Sequence, residues 1–149
     1  MQKNNKKTFR SPPGIARWPY IKTPDFKYDK EGKYAVSLEV DPREKGGYRL
    51  LHGLRVMAQR KYGPKAHVPY REDVDRDGRP TGKYLVKFSS KFMPRIYDRH
   101  GNILTDADIP AGAVLVVQFT PNLYGPNRLV PSGGLNLRLC AIHVRTKAA

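Results

Sequence analysis

Apolar and polar positions alternate most clearly over Lys33–Val40. Tyr34, Val36, Leu38 and Val40 share one face, and Lys33, Ala35, Ser37 and Glu39 share the other. A period of two sustained over this length predicts a half-buried strand. The pattern returns over Lys83–Ser89, with Tyr84, Val86 and Phe88 opposite Lys83, Leu85 and Lys87. It returns again over Leu135–Val144, where Leu135, Leu137, Leu139 and Ala141 alternate with Asn136, Arg138, Cys140 and Ile142. Ala113–Phe119 is a nearly continuous apolar strand, and Ile15–Ile21 reads as a first strand ended by Thr23-Pro24-Asp25.

One segment has helical spacing instead: Leu50, Leu51, Leu54, Met57 and Ala58. Asp41 suits an N-cap with Pro42 at the first helical position, and Gly63-Pro64 stops the helix. Gly46, Gly47 and Gly53 weaken it and move its expected start toward Tyr48. Pro69–Gly82, Asp108–Gly112 and Thr120–Gly134 read as loops. Asp98-Arg99-His100-Gly101-Asn102 reads as a hairpin turn between Pro94–Tyr97 and Ile103-Leu104. Met1–Ser11 reads as a flexible basic arm ahead of one domain over residues 12–149. Short strands, one helix and long loops predict a mainly β fold, a single small barrel.

Charge changes the picture from fold to partner. The chain has 149 residues, 28 Lys and Arg, 13 Asp and Glu, and a formal net charge of +15. No acid precedes Asp25 and none follows Asp108. Two acid-free ends on a basic domain point to a polyanion, because phosphates release counterions when they meet Lys and Arg. Aromatics interleaved with the charges favour nucleic acid over a membrane surface. No apolar run approaches the roughly 18 residues of a membrane span. Gln2–Phe9 is polar and lacks the apolar core of a signal peptide. Cys140 is the only cysteine, so no disulfide forms within the chain, and a reducing cytoplasm fits.

Motifs for chemistry are weak by comparison. Asp73, Asp75, Asp77 and Gly78 open like a calcium loop, but Tyr84 stands where the bidentate Glu belongs. Cys140 and His143 fall on opposite faces of a strand and have no further ligands nearby in sequence, so no metal site is expected. Asp106 and Asp108 lack the third carboxylate of a metal-dependent nuclease. No nucleophile elbow, phosphate-binding loop or zinc-protease motif occurs. No catalysis and no cofactor are therefore expected.

The aromatic and basic residues form the better candidate site. Trp18, Tyr20, Phe26, Tyr28, Tyr97 and Tyr124 each lie close to Lys or Arg. Rings stack on bases without regard to sequence while cations follow the phosphates, and only single strands expose base faces. Tyr124, between Pro121 and Pro126 with Arg128 four residues on, is the leading loop aromatic. Lys83 and Lys87 form a basic row opposite Tyr84 and Phe88. Lys3, Lys6, Lys7 and Arg10 make the arm a phosphate contact.

Several pieces, in order, resemble the single-stranded DNA-binding proteins of podovirus-type tailed phages. They are Tyr20-Ile21-Lys22-Thr23-Pro24-Asp25, Gly32–Leu38 leading into a helix, Ile96-Tyr97-Asp98 with Gly101, and Ile109-Pro110-Ala111-Gly112. Val114–Leu123 paired with Leu135–Val144 completes the set. The resemblance implies an OB-type barrel and sequence-nonspecific binding of single-stranded DNA without ATP or metal. It implies a role in phage replication and recombination, including strand annealing, in the cytoplasm of an infected bacterium, with phage replication proteins as further partners. It places Lys87 in the DNA groove, makes Tyr124 the loop aromatic, and adds Lys33. The chain departs from the family in its ending: Val144-Arg145-Thr146-Lys147-Ala148-Ala149 stands where the family usually carries an acidic tail, which leaves tail-mediated recruitment and dimerisation open. An RNA-binding OB-type module and a small phage nuclease or recombination enzyme are the alternatives.

Overall fold

A computed structural model describes residues 7–25, 32–104 and 109–146. The strands are β1 (Phe9–Arg10), β2 (Gly14–Asp25), β3 (Lys33–Val40), β4 (Tyr70–Val74), β5 (Pro80–Ser90), β6 (Arg95–Tyr97), β7 (Val114–Tyr124) and β8 (Gly134–Val144). Helix α1 spans Lys45–Tyr62 between β3 and β4. Pairing closes five of the strands into a ring, β2–β3–β5–β8–β7 and back to β2. All contacts in the ring are antiparallel except β5 with β8, which meet in parallel at Ser89 and Arg138. This is the five-stranded OB barrel expected from the sequence, with its helix between the second and third barrel strands. β4 adds to the side of β5, β6 runs parallel beside β8, and β1 pairs with β7. Among the described residues, no helix is long and apolar enough to cross a membrane.

The alternating faces do what their period requires. Val36, Leu38 and Val40 of β3, Val86 and Phe88 of β5, and Leu135, Leu137 and Leu139 of β8 are all buried in one cluster. Phe88 packs on Phe119 with ring centroids 5.2 Å apart. Each such side chain contributes about 1.5–3 kcal/mol on leaving water. Near its end β8 changes phase: Ala141 and Ile142 are both buried, opposite an irregularity between Gln118 and Phe119 of β7. Ile142, assigned by alternation to the polar face, is thus core.

Further expectations are corrected. Asp41 is not the helix cap. Its Oδ1 accepts from the Arg43 backbone N (2.9 Å) and Nε (3.1 Å), and its Oδ2 from Lys83 Nζ (2.9 Å). The helix starts at Lys45 after Glu44, which makes no side-chain cap bond. The start lies ahead of Tyr48 because Gly47 is needed inside the helix: a Cβ there would stand 2.0 Å from the Asp41 carbonyl oxygen. The polar stretch Pro69–Gly82 is not a loop but the β4–β5 hairpin. Asp75 Oδ1 accepts from the backbone N of Asp77 and Arg79 and so closes its turn. Finally, β7 and β8 pair out to Tyr124 and Gly134, which shortens the loop between them to residues 125–133. The turn at Asp98 forms as expected, with Asp98 accepting from His100 and Asn102. Phe9 and Arg10, placed in the arm by sequence, pair with Phe119 and Gln118. Ser11 behind them is buried, its Oγ accepting from Val117 N.

Candidate nucleic-acid interface

The outward faces of β3 and β5 form a floor. Ala35 pairs with Ser89 and Ser37 with Lys87, and these small and polar side chains leave the sheet open. β2 walls one side with Trp18 and Tyr20. The segment His67–Arg71 and the β7–β8 hairpin, with Tyr124, Asn127 and Leu129, wall the other. The groove between them encloses about 950 Å³, and among the described residues no Asp or Glu lines it.

Trp18 is the most unusual residue of the wall. It is half exposed and has φ +48°, the one positive φ at a non-glycine among the described residues. That conformation costs about 1–3 kcal/mol for an ordinary side chain. The β2–β3 ladder shifts register between Arg17 and Tyr20, and such a bulge re-aims the side chain it carries. The guanidiniums of Arg17 and Arg71 lie 4.9 and 5.6 Å from the indole centroid. Arg17 is itself anchored, donating to Glu39 Oε1 at 2.9 Å with Asp73 Oδ2 at 3.6 Å. The ring is therefore held out from the barrel beside two cations.

Tyr124 is placed differently. It ends β7 opposite Gly134, tilts against His67 at 6.5 Å, and its hydroxyl lies 2.8 Å from where a Cβ at Gly134 would stand. Burial pushes its phenol pKa up. The ring lines the groove and also packs on the barrel, so the loop aromatic of the sequence reading is a strand residue built into the wall.

Of the other expected site residues, the groove brings in Lys33 and Lys87. Among the described residues Lys87 has no acidic partner. Lys83 lies outside the groove, half-buried on Asp41. The hydrogen bonds of Arg43, then of Lys83, hold the Asp41 carboxyl far below its ordinary pKa. Tyr97 is also elsewhere, on β6, stacked on His143 at 4.9 Å with 12° between the planes. Arg10 lies toward that same place: burial first, then the charges of Arg10 and Arg145, lower the His143 pKa. Arg128 is exposed in the loop between β7 and β8, next to Asn127 and Leu129 but not lining the groove, and Lys7 is exposed ahead of β1. Lys3, Lys6, Phe26, Tyr28, Asp106 and Asp108 fall outside the described residues.

The groove also uses residues not singled out by sequence: Arg71, Tyr70, His67 and Leu129. Their positions depend on the β4–β5 hairpin and the hairpin loop, which alternation alone did not reveal. Among the described residues no three of His, Cys, Asp and Glu converge as a metal site. Asp73, from the calcium-like run, is buried and accepts from Thr81 Oγ1 at 3.0 Å.

Solved structures share this fold. The chain superposes on gp2.5, a single-stranded DNA-binding protein encoded by bacteriophage T7, with a TM-score of 0.72 and 20% identity, over 93% of this chain and 86% of that one. The single-stranded DNA-binding protein from bacteriophage Enc34, in complex with single-stranded DNA, gives a TM-score of 0.74 at 15% identity, over 95% and 88% of the two chains. Its C-terminally truncated form gives the same score over 95% and 87%. The barrel is the fold of these phage proteins. The resemblance read from sequence pieces thus holds for the fold along nearly the whole chain. No protein-family model matches the chain, and no curated protein does.

Proposed function

We propose that the groove binds single-stranded DNA without sequence preference and without catalysis. The observation that carries this reading is Trp18, held half exposed beside Arg17 and Arg71 at the rim of the groove on the β3–β5 face, whose described lining carries no acid. OB barrels take oligonucleotides on the face of their second and third strands, between the loop joining the first two strands and the loop joining the last two. In this chain those strands are β3 and β5, and residues 125–133 join the last two barrel strands. Bases stack on Trp18 and Tyr20 while Lys33, Lys87 and Arg71 meet phosphates. Each stacked base contributes about 1–3 kcal/mol. The fold's likeness to phage proteins that bind single-stranded DNA supports the same reading. Lys7 and Arg128 are exposed and extend the basic surface outside the groove, and Lys3, Lys6 and Arg10 add phosphate contacts. The role that follows is protection and annealing of unpaired strands during phage replication and recombination in the host cytoplasm, alongside phage replication proteins.

Competition titrations with single-stranded DNA, duplex DNA and RNA of equal length, across a salt series, test the proposal. Single-stranded DNA is expected to win, with log affinity falling by about 0.7 per phosphate contact for each decade of salt. Preference for RNA would indicate readout of the 2′-hydroxyl and overturn the assignment. Cleavage of DNA with magnesium, manganese or zinc, abolished by Asp106→Ala or Asp108→Ala, would overturn the non-catalytic reading.

A further inference from the structure

The groove does not end at Lys33. A second depression of about 310 Å³ shares Lys33, Ser89, Asn136 and Leu137 with it and adds Phe92 and Arg138. Phe92 is 69% exposed in the turn after β5, outside the loops that flank the β3–β5 face of an OB barrel. Its backbone is fixed, Phe92 N donating to Ser90 Oγ at 3.1 Å. The Arg138 guanidinium lies 5.9 Å from the ring centroid. Phe92 has no polar atom to satisfy, so its exposed ring gains only from an apolar or π-faced ligand. Arg138 beside it favours an anionic one.

We infer that Phe92 and Arg138 form a second base-stacking subsite that extends the single-strand path beyond the β3–β5 face. The subsite rests on the groove reading above. A base stacks on Phe92, and Arg138 holds the neighbouring phosphate. The strand passes from Trp18 over Lys87 and Lys33 to Phe92, so the outer platform engages only ligands long enough to reach it.

The test is binding of oligothymidylates from about 4 to about 16 nucleotides, the range of OB site sizes, to the full chain and to Phe92→Ala. Anisotropy of an end label gives affinity, and Trp18 fluorescence is recorded in the same titrations. Phe92→Ala is expected to leave the shortest ligands unchanged and to weaken the longest about tenfold. Phe92→Tyr is expected to bind like wild type, since stacking needs the ring. Arg138→Gln is expected to flatten the salt slope by about 0.7 for long ligands only. Because Phe92 is exposed, its replacement should leave the melting temperature unchanged. Equal affinity of Phe92→Ala and wild type at every length, or an equal loss at every length, would overturn the subsite while Trp18 quenching still upheld the groove. Self-association lost in Phe92→Ala at unchanged DNA affinity would assign the ring to contacts between copies of the chain and overturn it too. Absence of Trp18 quenching in wild type would remove the groove reading and the subsite together.

Discussion

The groove and the corner where β3 runs into α1 are furnished with the same residue types and use them oppositely. Lys87 and Lys83 sit four residues apart on one strand, with side chains on the same face of β5. At the corner Lys83 closes on Asp41, which also takes Arg43, and the three groups satisfy one another. In the groove Lys87 meets no acid among the described residues. The aromatics divide in the same way. Tyr97 is stacked on His143, whereas Trp18 is held in a strained conformation with its ring half in solvent. What separates structural residues from the proposed DNA-binding ones is whether the fold already supplies the partner.

That contrast can be broken most decisively at Trp18. Trp18→Ala is expected to weaken single-stranded DNA binding by about 1–3 kcal/mol. Trp18→Gly is expected to lose as much affinity while keeping or slightly raising the melting temperature, because glycine adopts positive φ freely. A fall in melting temperature without loss of affinity in the folded protein would make Trp18 a packing residue. Next in size is the comparison of the two lysines. Lys87→Ala should reduce the salt slope by about 0.7 and lower affinity at low salt. Lys83→Met should leave both unchanged and cost a little stability through Asp41. Equal binding defects in the two variants would erase the distinction between groove and corner.

Tyr124 sits between the two categories, and its variants sharpen the boundary. Tyr124→Ala is expected to lower both melting temperature and affinity, since the ring covers Gly134 and lines the groove. Tyr124→Phe should be nearly silent in binding. Loss of stability alone would confine Tyr124 to the barrel wall.

The smallest effect concerns pH and the far side of the barrel. His143 Nε2 is buried without a hydrogen-bond partner, and burial with the nearby Arg10 and Arg145 charges depresses the His143 pKa. The neutral ring is therefore favoured in the folded state, and the unfolded chain takes up its proton first. Its contribution to stability is fully present above about pH 6.5 and is lost as the pH falls below that value toward the depressed folded pKa. Thermal melts between about pH 7.5 and 5.5 should show this loss, and His143→Phe should flatten it. A melting temperature that stays level in wild type would contradict the assignment. DNA binding at fixed salt should not follow the same profile if the far side is independent of the groove.

Much of the barrel was legible because burial imposes alternation. Val36, Leu38, Val86, Phe88, Leu135, Leu137 and Leu139 fall on the inner face in the register expected. The signal failed where polar residues build strands. Tyr70–Val74 is mostly charged, yet Asp77-Gly78 is a hairpin signal that the calcium-like spacing obscured. Pro121 concealed the end of β7, although a proline removes only a single ladder donor. The helix start was hidden because a glycine that lowers helix propensity at position 47 is required by the Asp41 carbonyl. At the site, Lys33, Lys87 and Tyr124 were reachable from residue type and the family resemblance. The separation of Lys87 from Lys83 was not, because it depends on Asp41, 42 residues from Lys83 along the chain. Trp18 was visible as one ring among several. Its bulge and its guanidinium neighbours, one of them from β4, are tertiary features.

Trp18 is the only tryptophan in the chain, so fluorescence excited at the red edge, where the tyrosines do not absorb, reports from the rim of the groove alone. Titration with single-stranded DNA at low salt should quench that emission saturably, with added salt reversing it and Lys87→Glu weakening it. Emission that stays unchanged while an end-labelled strand demonstrably binds would place the DNA elsewhere on the basic surface and contradict the account.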